Sequence, residues 1–198
     1  MKIIGLTGPT GGGKSTIATL AKSKGFCVID CDKEARLATE KGTEGLIALT
    51  KVFGNDILLS DGSLDRKKLA EKAFKTKENT EILNKTLLPF ILEIIKQRIN
   101  YFRAMGYDKI LLDAPTLYES GADSLCDGVI AVLCDEETRK KRIIIRDSLT
   151  ENQADTRLLA SKPDDFYKSR TEHIILSNCD TEEFLNNSSA MLDKLSEI

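Results

Sequence analysis

The stretch "GPTGGGKST", Gly8–Thr16, follows the apolar run "KIIGLT" (Lys2–Thr7) and opens the segment "KSTIATLAKSKG", whose apolar residues recur at helical spacing. Glycines in this number cannot pack a core, and each costs conformational entropy on ordering. Gly8 to Ser15 satisfies GxxxxGK(S/T) between a buried strand and a helix, the setting in which that pattern is a phosphate loop. The glycines let successive N–H groups curl inward, and the following helix adds its positive end. Gly8, Pro9, Thr10, Gly11, Gly12, Gly13, Lys14, Ser15 and Thr16 are therefore expected to hold a nucleotide's phosphates. Lys14 would reach the β- and γ-phosphates, and the Ser15 hydroxyl would ligate Mg²⁺.

Outward from this loop the chain alternates strands and helices. "FCVID", "DKILLDAP", "GVIAVLCD" and "HIILSN" read as further buried strands, and "TEEFLNNSSAMLDKLSEI" as a closing helix. "EETRKKRIIIRDSLTENQADTRLLASK" reads as charged and helical. From Thr43 to about Tyr107 the pattern turns helical, with Pro89 inside the long run "NTEILNKTLLPFILEIIKQRINYFRAMG". The expectation is an α/β fold, a parallel sheet flanked by helices. Its single domain would comprise a core (about 1–42, 108–135 and 163–198), a helical insertion (about 43–107) and a small helical lid (about 136–162). Phe53, Phe74 and Phe90 fit core positions.

The 29 basic and 31 acidic residues give a net charge of −2, so no global field attracts a polyanion such as a nucleic acid. The five cysteines form no CxxC pair, and His173, the only histidine, completes no zinc pattern and reads as a strand-end residue. Reduced thiols, no basic leader and no membrane-length apolar run point to a cytoplasmic protein that does not engage membranes.

A phosphate loop leaves open a GTPase switch, a motor ATPase or a small-molecule kinase. The only NK dipeptide, "NKTL" at Asn84, lacks the aspartate of a guanine-reading NKxD, and no LSGGQ-like signature occurs. A kinase needs a base, charge-neutralising arginines and an acceptor pocket. "FCVID" delivers Asp30 and Asp32 to the carboxyl edge of the sheet, where ligands bind in such folds. One of the two is expected to cap the following helix and Asp32 to be the base. Asp113, closing "KILLD", has the position of a Mg²⁺-holding carboxylate. In "DEETRKKRIIIRD", Arg139, Arg142 and Arg146 share one helical stripe. Arg139 is expected on a solvated face, Arg142 and Arg146 against the transferring phosphoryl group.

At this point several motifs fall in order: the phosphate loop, "VIDCDKEAR" (Val28–Arg36), "DGSLDRKKLAEKAF" (Asp61–Phe74), "LLPFI" (Leu87–Ile91), "DAPTLYES" (Asp113–Ser120) and "RKKRIIIRD" (Arg139–Asp147). Together they resemble the dephospho-CoA kinase family over nearly the whole chain. The resemblance implies an α/β P-loop kinase fold with a helical CoA-binding insertion and a small lid, and ATP-dependent phosphorylation of the ribose 3′-hydroxyl of dephospho-CoA, with Mg²⁺, in a monomer or small homo-oligomer. It implies Asp32 as base, Arg142 and Arg146 as lid arginines, and Leu64, Asp65 and Arg66 bordering the CoA site. "PTLYE" looks like the family's acceptor element, making Leu117 and Glu119 substrate contacts; Arg36 is a candidate for the acceptor's phosphates and Asn178 for the adenine. The chain departs from the family pattern at Leu88-Pro89 for His-Pro, at Ser177-Asn178-Cys179 for Asn-Asn-Gly, and at Lys162 for glutamine. Another P-loop kinase with a nucleoside or sugar acceptor, or a non-catalytic nucleotide switch, is the alternative.

Overall fold

A computed structural model describes residues 1–197. The apolar runs become β1 (Lys2–Thr7), β2 (Cys27–Asp30), β3 (Lys109–Asp113), β4 (Gly128–Leu133) and β5 (His173–Leu176). They form a five-stranded parallel sheet in the order β2-β3-β1-β4-β5. Leu6 of β1 pairs with Asp113 on one side and Ile130 on the other. A parallel sheet is covered on both faces, which is why its strands carry continuous rather than alternating apolar residues. On one face Ile4, Leu6, Leu111, Ile130 and Val132 are buried with Ile17 and Ala21 of α1 (Lys14–Ser23) and Phe184 and Leu192 of α9 (Thr181–Glu197).

The chain divides into two compact units: residues 1–29 together with the chain from Phe102 onward, and Asp30–Tyr101. The second contains α2 (Cys31–Leu37), α3 (Glu44–Phe53), α4 (Arg66–Ala73) and most of α5 (Lys77–Ala104). Thr43 and Asp65 cap α3 and α4 by accepting the backbone N–H of Leu46 and Lys68. Leu49, Ile57, Leu69 and Ala73 form a core joined by Phe53, Leu64 and Leu87. Glu34, buried on α2, accepts from Arg98 Nε at 3.0 Å, so its charge is paired. Pro89 lies inside α5, where it has no N–H to reach back one turn. Phe74, expected in a core, is instead 66% exposed, because it is the residue that ends α4 and no longer follows the buried stripe.

The charged helical stretch 136–162 follows β4. It forms α6 (Glu136–Asp147) and α7 (Glu151–Leu159), and the short α8 (Asp164–Lys168) comes after it. Ser148 adopts the left-handed conformation (φ 52°) that ends α6, and a reciprocal capping box between Thr150 and Gln153 starts α7. Ile143, Ala154 and Leu158 close the hairpin's own core, and Lys140 bridges to Asp155 at 2.7 Å. Among the described residues, no helix is long and apolar enough to cross a membrane.

If Leu49 anchors the core of the second unit, Leu49→Ala should lower unfolding stability in urea by about 2–5 kcal/mol. A loss below about 1 kcal/mol would remove it from that core.

Candidate active site

The phosphate loop leaves the carboxyl end of β1 and turns into α1. At Gly8 (φ 138°) a Cβ would lie 2.3 Å from the Val132 carbonyl oxygen, so no other residue fits without moving β4 or the loop. Gly13 (φ 103°) is the left-handed N-cap of α1. The Gly12 N–H closes a turn onto the Pro9 carbonyl at 3.1 Å. Lys14 Nζ donates to the Gly8 carbonyl at 2.7 Å, so its ammonium is folded across the loop that it is expected to serve.

Helix α6 lies against this loop. Asp135 caps it by accepting the Thr138 N–H at 2.8 Å, and Arg139 and Arg142 reach loop carbonyls. Arg139 Nε donates to Thr10 O at 2.9 Å, and the residue is only 6% exposed. The expectation of a solvated Arg139 is therefore corrected: the stripe's first arginine faces the loop. Arg142 donates to Gly11 O (3.3 Å), Ser177 Oγ (2.8 Å) and Ser177 O (2.7 Å). Arg146, one turn further on, is exposed and makes a two-pronged pair with Asp147 at 2.8 Å. Hydrogen bonding from Arg146, aided by the charge of Arg157, holds the Asp147 carboxyl down at about 2.

Asp113 ends β3 opposite Leu6, and the next N–H, that of Ala114, donates to Leu6 O at 3.0 Å. Its carboxylate is thus one strand away from the start of the phosphate loop. Beyond it, the acceptor element separates into different environments. Leu117 is fully buried, with Cδ2 only 2.6 Å from where a Cβ on Gly5 would be. Its side chain fills the sheet's core. Glu119 Oε2 and Arg139 Nη2 are buried with no hydrogen-bond partner among the described residues. Burial, with the Glu119 charge adding to it against Arg139, pushes the Tyr167 hydroxyl up to about 12.

In the second unit, Asp30 is the N-cap of α2: Oδ1 accepts the Lys33 N–H at 3.1 Å and Oδ2 pairs with Lys33 Nζ at 3.3 Å. Asp32 stands exposed in the helix's first turn, as does Arg36 in its last. Arg66 opens α4 and donates to Thr39 Oγ1 at 3.1 Å, while Leu64 pairs with Leu58 in an isolated bridge against the local core.

Sequence reasoning missed Ser177. Read only as a departure from a family pattern, it is 1% exposed and its Oγ donates to Gly12 O at 2.6 Å. Its neighbour Asn178 is exposed. A buried serine directly after an apolar strand was the available signal, but the partner, a glycine 165 positions earlier, has no trace in local pattern.

The family model described as dephospho-CoA kinase matches residues 2–183. A dephospho-CoA kinase of Corynebacterium glutamicum is 40% identical over 183 residues, covering 92% of this chain and 91% of its own. The crystal structure of TT1252 from Thermus thermophilus superposes with a TM-score of 0.80 at 28% identity, covering 98% of this chain and 97% of that one. A dephospho-CoA kinase from Campylobacter jejuni gives 0.69 at 27% identity, covering 100% and 98%.

Gly8→Ala should weaken ATP binding roughly 10–100-fold in calorimetry, because the new methyl must displace the loop from β4. Unchanged affinity would mean that this loop does not cradle the phosphates.

Proposed function

Because the chain belongs to the dephospho-CoA kinase family, we propose that it transfers the γ-phosphoryl group of ATP directly to the ribose 3′-hydroxyl of dephospho-CoA, giving CoA and ADP. The observation that carries this reading is the match over residues 2–183, which spans the phosphate loop, the acceptor element and α6 in one chain. Such transfer needs little covalent help and much positioning and charge neutralisation. Lys14 is assigned to the β- and γ-phosphates, on the loop formed by Gly8–Thr16. Asp32 is assigned as the base that takes the 3′-hydroxyl proton as the new O–P bond forms and the bond to the departing ADP breaks. The capping duty of Asp30 supports this choice, since that carboxylate already serves the N-terminus of α2.

Arg146 is assigned to the transferring phosphoryl group; its guanidinium is exposed and its pairing is with a neighbouring surface carboxylate, a weak hold. Arg142 is assigned to the same donor side of the reaction through the loop that it touches. The buried, unpartnered oxygen of Glu119 supports a place for it as hydrogen-bond acceptor to the substrate, because a carboxylate oxygen left so is costly until a donor reaches it. The exposed guanidiniums of Arg36 and Arg66 suit the acceptor's phosphates, with Leu64 beside Arg66, and Asn178 suits the adenine. Ser15 and Asp113 are the residues that would hold Mg²⁺. One hydroxyl and one carboxylate, both hard oxygen donors, fit an ion that keeps most of its shell as water and phosphate oxygen. When bound, it neutralises charge on the β- and γ-phosphate oxygens.

The direct test is ADP release with ATP, Mg²⁺ and dephospho-CoA, beside adenosine and simple sugars, with the product identified by mass. CoA formed only from dephospho-CoA is expected; turnover with a sugar or adenosine but not dephospho-CoA would overturn the reading. Asp32→Asn should lose about 10²–10⁴-fold in kcat with its circular dichroism unchanged. Near-normal turnover would take the base's role from it. Asp113→Asn should raise the Mg²⁺ concentration needed for half-maximal rate by roughly tenfold, and an unaltered Mg²⁺ profile would end its assignment.

A further inference from the structure

Three consecutive carbonyls of the phosphate loop are captured from one side. Thr10 O accepts from Arg139 Nε (2.9 Å), Gly11 O from Arg142 Nη1 (3.3 Å), and Gly12 O from Ser177 Oγ (2.6 Å). Ser177 is the joint of this arrangement. Its hydroxyl hydrogen goes to Gly12, its oxygen accepts from Arg142 Nη1 at 2.8 Å, and its carbonyl accepts from Arg142 Nη2 at 2.7 Å. Its own N–H is tied to Leu133 O at 2.9 Å, which fixes it to the end of β4. The side chain therefore has no hydrogen left to offer a ligand, and at 1% exposure no surface to offer one.

A peptide unit is planar and trans, so its C=O and the N–H of the following residue point in opposite directions. Holding the Thr10 and Gly12 carbonyls toward α6 and Ser177 turns the N–H groups of Gly11 and Gly13 the other way. Glycines give the loop wide freedom, and an unrestrained loop would have to be ordered by each arriving nucleotide. We infer that Ser177 is a positioning residue: with Arg142 it presets the peptide planes of the phosphate loop, and so sets the affinity for the donor's polyphosphate without touching it. The inference rests on reading the loop as the donor site and is independent of the acceptor's identity.

The test is binding of Mg²⁺-ATP and of inorganic tripolyphosphate to the whole protein by calorimetry, without acceptor, for wild type and Ser177→Ala. Both ligands should bind about tenfold more weakly to the variant, the loss expected for one such hydrogen bond at a preorganised site. The KM for dephospho-CoA should stay within about twofold, which a general loss of structure would not allow. Tripolyphosphate affinity equal to wild type, or equal weakening of donor and acceptor, would overturn the inference. If Ser177→Ala does not fold, Ser177→Cys carries the same test, since a thiol keeps the volume but is only a weak donor to the Gly12 carbonyl. A failure of the dephospho-CoA reading would appear in wild-type turnover and leave these binding measurements unaffected.

Discussion

The contact on which the rest of the structure depends is that between Gly8 and the carbonyl oxygen of Val132, with Gly12 resting on the same atom. A side chain at either position would intrude into backbone, at 2.3 and 2.8 Å from that oxygen. The loop therefore lies on the end of β4, and β4 is held in place by its parallel pairing with β1 and β5. Only two residues separate β4 from the first residue of α6, and Asp135 caps the helix at once. The helix must therefore start where the loop is. Sheet register, loop floor and helix origin are thus one constraint expressed three times.

From that origin the arginines of α6 divide their labour by depth. Arg139 is buried, and its charge is offset in part by the Thr10 carbonyl dipole, with one guanidinium nitrogen left unpartnered. Arg142 is half-buried and satisfied by three protein oxygens. Arg146 is exposed, and water screens its pair with Asp147. Residues alike in type and shared by one helical stripe therefore have different freedom, and only the last can change partners at small cost.

Much of this was legible in the sequence. Strand positions, the loop and the capping aspartate at position 30 follow from apolar runs, a spaced glycine motif and simple capping chemistry. The boundary between α6 and α7 falls in "SLTENQ", where the left-handed Ser148 and the Thr150–Gln153 capping box interrupt the helical pattern. Phe74 was misread because one-dimensional patterns do not say where a buried stripe ends. Arg139 and Ser177 were misread for a deeper reason. Their partners are backbone carbonyls more than a hundred residues away, and a carbonyl has no letter in the sequence.

The arrangement of α6 also bears on which changes in chain length the protein can absorb. A residue inserted or deleted between Cys134 and Arg139 would rotate every later side chain of the helix by about 100°. Arg139 and Arg142 would leave their carbonyls together, whatever amino acid was added. The same insertion between Leu159 and Asp164, where the chain passes from α7 to α8 through Ser161 and Pro163, would lengthen a connection and rotate neither arginine. In this protein the count of residues after β4 is as much a part of the nucleotide site as their identity.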